Sequence, residues 1–205
     1  MDLGAGTGIF TKQLVDAGYN PIAIEPVPAM RTKLAVQLPT VEIRSGTAED
    51  TGLETNSVDA VVAAQAFHWF DYSAALVEIK RILVSGGLLV CVWNVRDESV
   101  DWVRQYESIL NKFEGSTPRH RTMEWRRAID RDAAFDIVDD WSVQNPQPAT
   151  PGSVADRALS TSFIGALDKD TRQAVLAEVR SLVSKMGENF DFPYVSEIQI
   201  WEKTA

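Results

Sequence analysis

The chain has 205 residues, 45% of them hydrophobic and 24% charged, with 20 basic against 29 acidic side chains and a net charge of −9. This length suits one domain with a full hydrophobic core, and the acidic balance argues against a nucleic-acid binder or an anionic-membrane binder. Two histidines and the single cysteine, Cys91, exclude an internal disulfide and leave no metal site to expect. No transmembrane-length apolar run or signal peptide is read in the sequence, so a cytoplasmic location is expected.

The chain opens on Asp2-Leu3-Gly4-Ala5-Gly6-Thr7-Gly8. Glycines permit positive φ and close backbone approach to a ligand, and the N–H groups that start the next helix are free to donate. A dinucleotide fingerprint would put its third glycine at position 9, which is Ile9, so a pyrophosphate turn is disfavoured. A plain glycine-rich turn is the bland alternative. Only Met1-Asp2-Leu3 precede the loop, where a complete strand is expected, so the first strand reads as truncated.

Phe10, Leu14 and Val15 predict a first helix over residues 9–17, stopped by Gly18. Residues 21–24 read as a buried strand ending at Glu25-Pro26. Glu25 lies roughly 20 residues beyond the first glycine, the separation at which a carboxylate reaches ribose hydroxyls in such folds. Its bland alternative is a solvated strand end. Pro28 starts a second helix along Met30, Leu34 and Leu38, and residues 41–44 alternate as a strand leading into Gly46-Thr47-Ala48-Glu49-Asp50. Residues 57–64 are apolar on both faces, as a covered parallel strand should be, and end in Gln65-Ala66-Phe67-His68-Trp69-Phe70. A helix over 72–83, closed by Ser85-Gly86-Gly87, leads to a buried strand over 88–93. Strands alternating with helices demand a doubly wound α/β sheet.

Residues 95–134 break that rhythm and read as a helical, lid-like insertion in a single domain over 1–205. They hold a helix over 101–113, then Arg119, Arg121, Arg126, Arg127 and Arg131, a high density of arginine in so acidic a chain. Strand character returns over 135–145, Pro146, Pro148 and Pro151 mark a loop, helices follow over 154–159 and 170–186, and 194–201 closes as a strand.

The glycine loop resembles that of the class I S-adenosylmethionine-dependent methyltransferases, in which an acidic residue precedes G-x-G-x-G. With Ile24-Glu25-Pro26, Gly46-Thr47-Ala48-Glu49, Ala64 to Phe70 and Trp93-Asn94-Val95-Arg96-Asp97, the chain is similar to the trans-aconitate methyltransferase-like branch, a methyltransferase type 11 domain. The resemblance implies a doubly wound, mostly parallel seven-stranded Rossmann-like sheet whose last strand is antiparallel. It implies S-adenosylmethionine held by Asp2, Gly4, Ala5, Gly6, Gly8, Glu25, Pro26, Ala48, Glu49 and Gln65. Many relatives carry Asp-Ala where this chain has Thr47-Ala48, so adenine would rest on the Ala48 backbone, with Glu49 as a substitute acceptor or a plain polar turn.

A sulfonium carries an activated methyl group, so the protein must chiefly align a nucleophile and exclude water. A carboxylate acceptor needs no base, whereas an oxygen or carbon acid does, and His68 is the histidine placed for that role. A packed aromatic corner is the alternative for His68 and Trp69. Trp69, Arg121 and Arg126 are the candidate acceptor contacts for a small-molecule acceptor, with a carboxylate suited to guanidinium pairs. The arginines could equally pair with neighbouring aspartates on a solvated face. A catalytically silent cofactor-binding module or fragment, and a nucleotide-dependent oxidoreductase, are the competing readings.

Overall fold

The computed structural model describes residues 1–204. The chain runs through β1 (Asp2–Leu3), α1 (Ile9–Asp16), β2 (Ile22–Ile24), α2 (Pro28–Gln37), β3 (Glu42–Arg44), β4 (Val58–Ala64), α3 (Tyr72–Ile82) and β5 (Leu83–Arg96). It continues through α4 (Asp101–Asn111), α5 (Glu124–Asp130), β6 (Phe135–Gln144), β7 (Gln147–Ala149), α6 (Pro151–Ser160), α7 (Ser162–Gly165), α8 (Lys169–Val183), β8 (Phe190–Phe192) and β9 (Tyr194–Lys203). Short 3-10 turns cover Phe67–Trp69 and His120–Thr122. Two units separate: residues 1–93, 118–141 and 197 onward form the first, and residues 94–117 and 142–196 the second.

In the first unit the sheet order is β3-β2-β1-β4-β5-β9-β6. β1 lies between two parallel partners, with Asp2 opposite Ala23 and Val62 and Leu3 opposite Ile24. β2 with β3 and β4 with β5 are also parallel. Gln199 donates to Asp140 Oδ1 and the Thr204 N–H donates to the Ala134 carbonyl, so residue numbers run in opposite directions and β9 lies antiparallel to β6. Leu3, Ile24, Val61, Ala63, Leu89, Cys91 and Trp93 are completely buried. In β4 and β5 the fully buried residues alternate with half-buried ones, so one face of these strands is sealed and the other partly covered.

Local capping signals start α2 and α3 of this unit. Pro28 opens α2. The Asp71 carboxylate caps α3 by accepting from the N–H groups of Ser73 and Ala74. The expected stop at Ser85-Gly86-Gly87 is not one, because β5 begins at Leu83 and runs straight through it. The register with β4 shifts between Val58 and Ala60, and Gly86 takes φ 73°. A Cβ on Gly87 would lie 2.9 Å from the Val84 carbonyl and 3.2 Å from that of Asp59. These glycines serve a bulge inside a strand and not a chain break.

The second unit packs α4, α6 and α8 around Val103, Tyr106, Leu110, Val154, Ala158, Val175, Val179 and Phe192. A Thr150–Ser153 capping box starts α6. The proline-marked loop is in part a strand, since β7 pairs antiparallel with β8 with Pro148 opposite Asp191. The segment read as one lid-like insertion divides, residues 94–117 going to the second unit and 118–134 to the first.

Candidate functional site

All three glycines of the first loop are left-handed, with φ 73° at Gly4, 59° at Gly6 and 89° at Gly8. Packing dictates two of them. A Cβ on Gly4 would sit 2.8 Å from the Ala66 Cβ, and one on Gly8 would sit 2.8 Å from Leu34 Cγ. Gly6 differs. Apart from its chain neighbours, no described residue has a heavy atom within 4 Å of where its Cβ would point. The loop therefore leaves room at Gly6 that the protein itself does not use.

The loop is tied down by backbone and carboxylate. The N–H groups of Gly4 and Ala5 both donate to the Ile24 carbonyl, at 2.9 and 3.0 Å. Glu25, 4% exposed, accepts from the Gly6 N–H through Oε2 and from the Val27 N–H through Oε1, each at 2.8 Å. Arg31 donates to the carbonyls of Glu25 and Pro26, fixing the turn in which Pro26 is exposed. Asp2 is 1% exposed, and its Oδ2 accepts from the Thr11 hydroxyl at 2.6 Å. Its Oδ1 has no hydrogen-bond partner among the described residues. Burial pushes the Asp2 carboxyl up to about 6, opposed by the Thr11 hydrogen bond. Thr11 was not singled out in the sequence, where it reads as one more polar helix residue.

The loop carrying Ala48 and Glu49 is held from α3. Glu49 Oε1 accepts from the Asp71 N–H at 3.0 Å, so this acid is tied to the start of the helix. Glu78 accepts from both the N–H and the hydroxyl of Thr51 and is bridged by Arg81. Arg81, followed by desolvation acting the other way and then by the Thr51 bonds, leaves the Glu78 carboxyl at about 2. Ala48 is buried. Glu78 and Arg81 are further contributors that helical periodicity hides as ordinary surface charge. Gln65, exposed at the end of β4, takes φ 57°, a conformation that non-glycine residues seldom adopt outside functional or turn positions.

Beyond Gln65 the chain turns through Phe67–Trp69, with Phe67 fully buried as the anchor. His68 Nδ1 is buried without a hydrogen-bond partner among the described residues. Burial first, then the charges of His120 and Arg119, lower His68 to about 4. Its ring lies 5.1 Å from Trp69 and 5.4 Å from Trp93, and Trp93 in turn lies 4.5 Å from His120. Trp69 is 53% exposed. The Trp125 indole donates to the His120 carbonyl, and His120 Nε2 stands 3.2 Å from Glu197 Oε2. Sequence reasoning overlooked His120, which lies far from His68 in the chain and joins it only through the fold.

The two candidate acceptor arginines part company. Arg126 pairs with Asp140 at 2.7 Å and with Asp130 at 3.5 Å, and is thereby committed to neighbouring carboxylates. Arg121 is exposed on the turn beside His120. Among the described residues no group of three or more His, Cys, Asp or Glu side chains could hold a metal ion, and no helix is long and apolar enough to cross a membrane.

Residues 1–91 match the family described as a methyltransferase domain. An uncharacterized methyltransferase of Mycobacterium tuberculosis is 37% identical over 184 residues, which cover 90% of this chain and 72% of the relative. An uncharacterized methyltransferase-like protein of Schizosaccharomyces pombe is 38% identical over 126 residues, 61% of this chain and 49% of the relative. Among solved structures, a candidate type II methyltransferase from Anaeromyxobacter dehalogenans has a TM-score of 0.73 at 25% identity, covering 99% of this chain and 88% of that one. The geranyl diphosphate C-methyltransferase of Streptomyces coelicolor, solved with S-adenosyl-L-homocysteine, has a TM-score of 0.53 at 18% identity, covering 99% and 70%. The sheet is the Rossmann-like methyltransferase fold, with strands mostly parallel. This chain belongs to the methyltransferase family.

Proposed function

We propose that the protein transfers a methyl group from S-adenosylmethionine to a small-molecule acceptor. The observation that carries this reading is the open cradle at Gly6, a left-handed glycine with free space in a loop that Glu25 and the Ile24 carbonyl hold in place. We assign Asp2, Gly4, Ala5, Gly6, Gly8, Glu25 and Pro26 to the cofactor site at that cradle, with Ala48, Glu49 and Gln65 at the strand ends, where open α/β sheets take their ligands. A carboxylate has about four acceptor positions, so Glu25 retains lone pairs for ribose hydroxyls after its two backbone bonds. When bound, the cofactor supplies an activated methyl group. The protein's own task is then to orient the acceptor and keep water out.

His68 and Trp69 lie next to this loop and supply the acceptor floor, His68 staying uncharged and Trp69 offering an exposed ring face. A carboxylate acceptor is a second reading, favoured by the positive charge of Arg119 reaching His68 and by Arg121 close behind it. The trans-aconitate methyltransferase-like branch, supported by the Ala64 to Phe70 motif, agrees with that reading. The acidic surface suits a small acceptor rather than nucleic acid, and a lone buried thiol, Cys91, suits a reducing cytoplasm.

Native mass spectrometry of the purified protein with added S-adenosylhomocysteine tests the proposal. A single increment equal to one ligand per chain is expected. Spectra that stay ligand-free at saturating concentration would overturn it.

A further inference from the structure

Three buried nitrogens without hydrogen-bond partners among the described residues lie along one run of touching rings, His68 Nδ1, the Trp93 indole Nε1 and His120 Nε2. Trp93 is completely buried, and an N–H in that position is costly unless a bound group completes it. The run ends at His120, whose Nε2 stands 3.2 Å from Glu197 Oε2. Ion-pair distance is met there without the alignment of a hydrogen bond, as catalytic contacts in ligand-free proteins often are. The cluster adjoins the glycine loop, because a Cβ on Gly4 would come within 2.8 Å of Ala66 and 3.5 Å of the Phe70 ring, the residues that bracket the turn carrying His68.

Resting on the proposed methyl transfer, we infer that the acceptor bears a hydroxyl group, that His120 backed by Glu197 takes its proton, and that His68 and Trp93 hold its oxygen. An indole N–H only donates, whereas a hydroxyl both accepts and donates, so one hydroxyl oxygen accepts from Trp93 and from the Nδ1–H tautomer of His68 while its single proton is directed to His120. A carboxylate accepts only, and it needs no base.

The two imidazoles divide the work by their surroundings. Burial first, with the Arg119 charge adding to it, keeps His68 neutral, so it hydrogen-bonds but resists protonation. His120 faces Glu197 from β9, with His68 and Arg119 as its positively charged or ionisable neighbours. Glu197 engages Nε2 and leaves Nδ1 to take the proton, and its negative charge stabilises the imidazolium formed. The acceptor O–H bond breaks, with the proton passing to His120. The oxygen bonds the methyl carbon as the carbon–sulfur bond breaks, its electron pair returning to sulfur as a neutral thioether. The product is a methyl ether. Glu197 is a positioning residue in this scheme.

The test uses the whole chain, methyl-labelled S-adenosylmethionine, and a panel of phenols, aliphatic alcohols and carboxylic acids. Hydroxyl compounds should be methylated, and H120Q should lower kcat by about 100-fold or more. Unchanged S-adenosylhomocysteine affinity in H120Q shows that the variant is folded. E197Q should lower kcat while leaving KM and S-adenosylhomocysteine affinity unchanged, a split that a purely structural role would not produce. Methylation confined to carboxylic acids, or full activity in H120Q, overturns the inference while leaving methyl transfer standing. A wild-type chain that does not bind S-adenosylhomocysteine defeats the cofactor reading itself, before any variant is made.

Discussion

The Glu25 carboxylate accepts a hydrogen bond from the Gly6 N–H at 2.8 Å, joining the end of β2 to the middle of the glycine loop. The acid placed by spacing to meet a ribose thus has a second duty, holding the loop that would meet the rest of the ligand. The same carboxylate anchors Val27 at the entrance to α2. Three segments converge on one buried side chain.

Replacing Glu25 with alanine should therefore weaken the site twice, by freeing two backbone donors and by removing the acceptor for ribose. Loss of a charge-assisted hydrogen bond costs about 1.5–3 kcal/mol, which is tenfold to a hundredfold in affinity for S-adenosylhomocysteine. Titration calorimetry on Glu25→Ala checks this, and an unchanged dissociation constant would refute it.

Gly6 and Gly8 should separate function from stability. At Gly8 an added Cβ meets Leu34 at 2.8 Å with φ at 89°, so Gly8→Ala should lose stability through both strain and overlap, the strain alone roughly 1–2 kcal/mol. At Gly6 the space is open, and Gly6→Ala should incur only the conformational strain while obstructing the cradle. Thermal melts alongside ligand titration distinguish the two, with Gly8→Ala the less stable and Gly6→Ala the weaker binder for its melting temperature.

The alternation of strands and helices in the first half of the chain was legible because its signals are local. Apolar runs over 57–64 and 88–93 mark covered strands, and Pro28 marks a helix start. Failures occurred where local and tertiary preferences oppose each other. Gly86 and Gly87 signal a break, yet pairing with β4 carries the strand through them as a bulge. Pro148 signals a loop, yet it lies in a two-stranded edge that tolerates a missing donor. At the candidate site, the glycine loop and Glu25 could be found from spacing alone. Thr11 beneath Asp2, the Glu78–Arg81 brace and the His120–Glu197 pair could not, because each is defined by a partner the chain brings near only on folding.

Asp2 gives a pH signature. Its folded carboxyl is raised from 3.8 to about 6 by burial, so the native state holds this proton more tightly than the unfolded chain. Stability from that group is fully present below the unfolded value and is lost as pH rises through about 6, a change of about 3 kcal/mol. Asp2→Asn should flatten the stability curve between those limits and raise the melting temperature at neutral pH. Denaturant titrations at three pH values check it, and an unaltered pH dependence would contradict the assignment.

Arg126 and Arg121 should respond differently to removal. Arg126→Ala breaks the contacts to Asp140 and Asp130 in a partly exposed setting, so a loss of about 1 kcal/mol in stability is expected, with cofactor affinity unchanged. Arg121 is exposed on the turn beside His120, so Arg121→Ala should leave cofactor affinity unchanged. Any rise in the Michaelis constant for an acidic acceptor in Arg121→Ala alone would favour the carboxylate reading.

Calorimetric titration of the whole chain with S-adenosylhomocysteine, wild type beside Gly6→Val, tests the central claim most directly. The open space at Gly6 predicts saturable binding of one ligand per chain in the wild type and none in a Gly6→Val protein that still melts cooperatively. Absence of binding in the wild type, or equal affinity in the two proteins, would show that the cofactor does not lie in this cradle.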